Sequence, residues 1–309
     1  MTFTSLVFLF RFLPVFFIVF FLVPPKYRSY VILFGSLLFY TYGDPLWVIF
    51  IVVSVILNFI FIRKISLDVA AEKLFGTSDM KLRRLWLVLG LVLDAGLVAA
   101  FKYRNFMQYE IPVGVTFCMM SQAACLIEAY RGETMGGSNV VEYAMYATFF
   151  PKLLTGADSG YRGFLASRVP EENRLDNIEN GALLFASGFV CKVFLVDRIN
   201  SIWDMAAGDG AGMLSAWLGF VSLPVGIYLE LFGYALMAKG ITRIMGYDIP
   251  TNYEEPFSAG TVSDFARRFM TGPVDFVRKY IFKPLKGGKA LLFILAIARD
   301  CLTALRQDI

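Results

Sequence analysis

The chain has 309 residues, of which 57% are hydrophobic and 17% charged, with a mean hydropathy of +0.62. That balance is too apolar for a water-soluble globule and places the protein in a lipid bilayer. The net charge of +4 is small and lies in short loops, so it orients a membrane protein rather than attracting DNA or RNA, and no nucleic-acid partner is expected.

The first apolar run, FTSLVFLFRFLPVFFIVFFLV, is long enough to span a bilayer and has neither a basic n-region before it nor a small-residue cleavage site after it. It reads as a retained helix. YVILFGSLLFYTY and LWVIFIVVSVILNFIFI follow as a helical hairpin, with Gly43 and Pro45 at the bend. Residues 63 to 84 are mixed and basic (Arg63, Lys64, Lys73, Lys81, Arg83, Arg84), whereas the hairpin bend carries no basic residue. The positive-inside bias therefore predicts that 63–84, with Lys26 and Arg28, faces the cytoplasm and that the N-terminus lies outside. Further apolar segments fall at 85–101, 111–130, 140–157, 181–199, 211–238 and 290–298. Several are shorter than the roughly 20 residues of a straight span, which predicts tilted or re-entrant helices. SRVPEENRLDNIEN at 167–180 reads as a loop with an adjoining surface helix.

Chemistry has few candidates. Histidine is absent, which removes the usual general base near neutral pH, the commonest metal ligand and the Ser-His or Cys-His nucleophile pair. Cys118, Cys125, Cys191 and Cys301 show no C-x-x-C spacing, so neither a disulfide framework nor a metal site is expected. Glu230, inside the apolar stretch VGIYLELFGYALMAKG, is expensive to insert in a membrane and thereby marks a functional position; as an unpaired buried acid it would be a weak candidate base. Asp94 is a lesser case, and Asp197 is explained by an ion pair with Arg198 or Lys192.

The most informative stretch is DFARRFMTGPVDFVRKY at 264–280. Thr261 and Asp264 form a T-x-x-D helix start, and Gly272-Pro273 predicts a break between two short helices. Such a break would bring Arg267, Arg268 and Arg278 together. Two readings stand: a cradle for a phosphate, thioester-carrier or carboxylate group, or an interfacial anchor whose arginines reach the headgroups.

Ordered motifs along the chain carry a family resemblance. FTSLVFLFRFLPVFF, LLFYTYGDP, FKYRNF, IPVGVTFCMMSQAACLIEAYRGE, FFPKLLTG, GFVCKVFLVDRI and MGYDIPTNYEEPFSAGTVSDFARRFMTGPVDFVRKYIFKPLKGG resemble, in order, the motifs of the membrane-bound O-acyltransferase family, in its bacterial branch of alginate O-acetyltransferase and teichoic-acid D-alanyl transfer proteins. Pro112, Gly114, Gln122, Tyr130, Arg131 and Gly132 keep that pattern. The resemblance implies an all-α, polytopic integral membrane protein of the plasma membrane: a ring of tilted and re-entrant helices around a central funnel. Through the funnel, an acyl group from a cytoplasmic thioester donor, acetyl-CoA or an acyl carrier protein, would reach a hydroxyl on a cell-surface polymer or secreted partner. It implies no bound cofactor. It also assigns the arginine cluster and Asp264 and Gln122 to the donor-side funnel wall as substrate-binding residues.

The departures fall on the catalytic positions. Where Arg267 and Arg268 match the family's Arg-Arg, the family's first histidine falls on Met270, and Ala266 and Phe269 replace its tryptophans. The second histidine, in a G-L-W-H-G helix, would follow Gly287-Gly288, where this chain has KALLFILAIARDCLTALRQDI. The expectation is a single domain over 1–309 without the family's C-terminal helices, catalytically impaired, or serving as a non-catalytic scaffold or partner of an active acyltransferase, or a fragment whose missing helices come from another polypeptide.

Overall fold

The computed structural model describes residues 5–42, 45–76, 79–105, 114–134, 139–152, 160–207, 212–250, 253, 256–269 and 271–282. Among them every element is a helix, joined by one isolated antiparallel bridge between Arg168 and Tyr247.

A π-helical turn at Phe8–Phe12 runs into α1 (Leu13–Leu22), where Pro14 sits in the first turn and costs no hydrogen bond. Phe8, Phe12, Phe16 and Phe20 recur every four residues, so their rings stack along one face with centroids 5.5 to 6.1 Å apart. That face lies on α2 (Arg28–Thr41), where Gly35 leaves room for the Phe16 ring, and its rings meet Phe39 and Phe150 edge-on. Phenylalanine thus builds core here as well as lipid-facing surface.

The predicted hairpin is present as α2 and α3 (Pro45–Phe75), with residues 43 and 44 outside the described residues. α3 has 31 residues, about 46 Å at 1.5 Å per residue, which exceeds the roughly 30 Å hydrocarbon core. Its last turns carry the exposed Arg63 and Lys64 and stay helical, so the basic segment is largely a helix extension rather than a loop. α4 (Met80–Asn105) and α5 (Gly114–Arg131) continue the bundle. Arg83 at the start of α4 binds Glu72 near the end of α3 at 2.8 Å and donates to the Tyr130 carbonyl near the end of α5, so these three helix ends lie on one side. α6 (Val140–Thr148) is a short buried helix whose cap, Asn139, accepts from the Val141 amide at 3.0 Å, and α7 (Gly160–Ala166) is shorter still.

The second half is a long antiparallel hairpin. α8 (Arg174–Val190), a π turn at Cys191–Val196 and α9 (Asp197–Ala207) form one rod along α10 (Met213–Ile244). The polar stretch read as loop and surface helix supplies the first turns of α8. Gly181 and Gly188 on α8 face Gly240 and Gly233 on α10 so closely that a Cβ at Gly240 would sit 2.5 Å from the Gly181 carbonyl, and one at Gly188 the same distance from the Gly233 carbonyl. Without side chains the two backbones touch, which is how helices gain dispersion energy where lipid removes the hydrophobic drive. α3 and α10 contain stretches, Val48–Phe75 and Met213–Ile244, that are long and apolar enough to cross a membrane.

Candidate functional site

The stretch that the sequence singled out forms α11 (Val262–Phe269) and α12 (Thr271–Phe276), continued by a π turn at Val277–Phe282. Thr261 Oγ1 accepts from the Asp264 amide at 3.2 Å, the expected helix start. Residues 271–276 run as helix through Gly272 and Pro273, so the break expected at that pair does not fall there. Pro273 is the third residue of α12, where a missing N–H costs no helical bond. Met270 lies between α11 and α12, outside the described residues.

Each short helix docks on a different long one. Phe269 packs on Tyr228 of α10 and on Tyr253, with ring centroids 6.0 and 6.4 Å apart, and Phe265 stacks on Phe269 at 5.5 Å. Phe276 and Tyr280 are buried against Ala124 of α5. The segment therefore bridges α10 near Glu230 and α5 near Glu128.

At the α5 end, Glu128 is 1% exposed. Its Oε1 accepts from Lys279 Nζ at 2.6 Å and from the Tyr280 hydroxyl at 2.7 Å, and its Oε2 accepts from the Tyr161 amide at 3.2 Å. Three donors on one carboxylate make a satisfied buried charge, which a membrane interior otherwise disfavours. Gly160, at φ +76°, brings the α7 backbone so near that a Cβ would collide with Glu128 Oε1. Arg131 adds a bond from its guanidinium to the Lys279 carbonyl at 3.1 Å.

At the α10 end, Glu230 pairs with Lys192 across the helix rod, with both side chains about 15% exposed. The carboxyl is therefore not the unpaired buried acid that the sequence suggested, and Lys192 belongs to Glu230 rather than to Asp197, which is exposed.

Of the predicted binding residues, the structure joins Asp264 and Arg268, an ion pair at 2.9 Å four residues apart on α11, with Arg268 also donating to Ser258 Oγ at 3.0 Å. Arg278 is exposed on the π turn. The Arg267 side chain is outside the described residues. Gln122 sits in a buried polar stitch: its Oε1 accepts from Asn58 at 2.8 Å and Ser54 at 3.2 Å, and Tyr143 approaches at 3.5 Å. Asn58 also donates to Asp94 Oδ1 at 2.7 Å, so α3, α4, α5 and α6 are tied through one cluster. Lys152, of the FFPKLLTG motif, is 5% exposed, with its ammonium 3.9 Å from the Tyr146 ring centre and 3.3 Å from Ser121 Oγ on α5. Sequence reasoning missed Glu128, Lys152 and Lys279. For Glu128 a signal existed: an acid inside an apolar helix two residues before Tyr130-Arg131-Gly132.

A helical membrane bundle with charged residues paired in its interior is the class of protein that this geometry defines. The sequence profile of the membrane-bound O-acyltransferase family matches residues 32–297, and the chain belongs to that family, whose members are integral membrane proteins. It is similar to the probable alginate O-acetylase AlgI of Pseudomonas syringae pv. tomato, 28% identical over 309 residues covering 94% of this chain and 58% of that protein. It is also similar to the peptidoglycan O-acetyltransferase of Helicobacter pylori, at 24% identity over 93% of this chain and 62% of that one. A third relative, the teichoic acid D-alanyltransferase of Bacillus subtilis, is 23% identical over 55% of this chain and 44% of its own length. The chain thus spans about 58 to 62% of the length of the relatives that it matches along nearly all of its own.

Proposed function

We propose that this protein is a multi-pass component of cell-envelope polymer acylation at the plasma membrane, a single acyltransferase-like domain whose own acyl transfer is impaired. The observation that carries this reading is a family match over residues 32–297 in which, by the motif resemblance, a methionine replaces the family's first histidine. O-acyl transfer needs a group that takes the proton of the attacking hydroxyl. Met270 stands where the family histidine falls, and a thioether does not accept a proton near neutral pH. Glu230 would have to leave Lys192 to serve as a base, and Glu128 already accepts from three donors.

In this reading the helices form a ring around a funnel. An acyl thioester, acetyl-CoA or an acyl carrier protein, approaches from the cytoplasm, and a cell-surface polymer or a secreted acyltransferase partner receives the group. Arg267, Arg268, Arg278 and Asp264 form the donor-side wall, with the buried Gln122 acting behind it by holding the helices, and Arg278 is exposed and free to meet an anionic carrier. A non-catalytic scaffold for an active relative is the second reading, favoured by basic residues that persist around a lost imidazole.

The test is single-turnover transfer from a labelled acyl thioester by the purified protein in lipid. Binding without transfer is expected, with Met270→His restoring little, because groups that act as a unit are not additive. Substantial transfer that Glu230→Gln abolishes would make Glu230 the base and overturn the impairment. Unchanged, salt-insensitive carrier binding after Arg267→Ala with Arg268→Ala would return the arginines to the anchor reading.

A further inference from the structure

A cavity of about 200 Å³ opens between the N-terminal hairpin and the α8–α10 hairpin, where α1 ends and α2 begins. Arg28, the first residue of α2, Arg174, the first residue of α8, and Arg168 from the bridge to Tyr247 all line it, and no acid among the described residues does. Arg28 lies over the Phe20 ring at 5.4 Å and Arg174 over the Phe21 ring at 4.9 Å. A stacked guanidinium still offers its N–H edge to an acceptor in its plane. Arg168 is engaged by Glu142 at 3.0 Å, whereas no acid among the described residues pairs with Arg174.

Asn177, one turn into α8, points independently to a ligand. It is 5% exposed, lines the cavity and makes no hydrogen bond to another described residue. Both helices that begin at the cavity also lack a side-chain cap, so their positive ends add to the field of the arginines.

The depth of the cavity indicates where the ligand comes from. Tyr27 and Tyr30 beside it are 51% and 54% exposed, and Lys26 lies over Tyr27 at 5.9 Å, the arrangement of an interfacial belt at headgroup level. Its volume is below the roughly 300 Å³ at which pockets for whole small molecules begin, so a phosphate and its first carbons fit while the rest of the ligand stays outside. We propose that this cavity binds the phosphate of an anionic phospholipid whose acyl chains remain in the bilayer, on the side expected to be cytoplasmic.

The full chain in detergent, exchanged into phosphatidylglycerol or phosphatidylcholine and measured by native mass spectrometry, tests this. Phosphatidylglycerol should be retained about tenfold over phosphatidylcholine. Arg174→Gln and, independently, Asn177→Leu should bring that ratio toward one, while Arg63→Gln, which removes an exposed charge outside the cavity on the side expected to be cytoplasmic, should change it less than twofold. The ratio is read within one sample, so a variant of low yield still answers. Equal retention of both lipids, or an equal loss with Arg63→Gln, would reduce the site to general basic attraction and overturn it. Inorganic phosphate binding with no lipid preference would overturn its assignment to the bilayer.

Discussion

The α8–α10 hairpin and the α3–α6 bundle fasten helices in opposite ways. The hairpin uses glycines, so that nothing stands between two backbones, and places one charged pair, Lys192 and Glu230, just beyond the second glycine contact. The bundle uses side chains: Gln122, Asn58, Ser54 and Asp94 exchange hydrogen bonds, and Glu128 collects three donors. In lipid both are legitimate, because apolar burial adds little between helices already surrounded by hydrocarbon. They fail differently. A backbone contact tolerates no added atom, whereas a hydrogen-bonded cluster can lose a member and let the others find new partners.

Gly240→Leu should therefore be the most damaging change. A Cβ there meets the Gly181 carbonyl at 2.5 Å and the Phe185 amide nitrogen at 2.6 Å, atoms that cannot rotate away, so a loss of about 3 kcal/mol or more is expected. Thermal unfolding in detergent would show it, and adding Gly188→Leu should cost less than a second full increment, since one forced separation opens the whole seam. Glu128→Ala comes next, at about 2 to 3 kcal/mol, because it leaves a lysine, a tyrosine and a backbone amide without their acceptor. Limited proteolysis should find residues 277–282 newly accessible. If it does not, the Phe276 and Tyr280 rings hold that segment without the carboxylate. The smallest effect is expected for Gln122→Leu, about 1 kcal/mol, in line with the modest worth of hydrogen bonds inside membranes. A larger loss than for Gly240→Leu would reverse the comparison and make the polar cluster the principal fastening.

How much of this was legible in the sequence depends on how far apart the partners lie. The Thr261 helix start is local, set by capping chemistry within a few residues. The helix that runs through Gly272-Pro273 was not legible, because α12 tolerates Pro273 in its first turn. The pairs that define the candidate site were out of reach: Lys192 and Glu230 are 38 residues apart, and Glu128 and Lys279 are 151 apart. Glu230 therefore read as an orphan acid and Lys192 as the neighbour of Asp197, since nothing local shows which helix each will face. The glycines at 181, 188, 233 and 240 were visible, but their seven-residue spacing acquires meaning when the second helix runs antiparallel beside the first.

That spacing also restricts how the protein can move. Seven residues are about 10.5 Å along a helix, so two point contacts at this interval fix both the register and the crossing of α8 and α10. Sliding by one turn would drive Leu236 or Phe185 into a space that holds no side chain. The pair is thus a ruled slab rather than two independent rods, and any breathing of this half of the molecule must carry α8 and α10 as one piece.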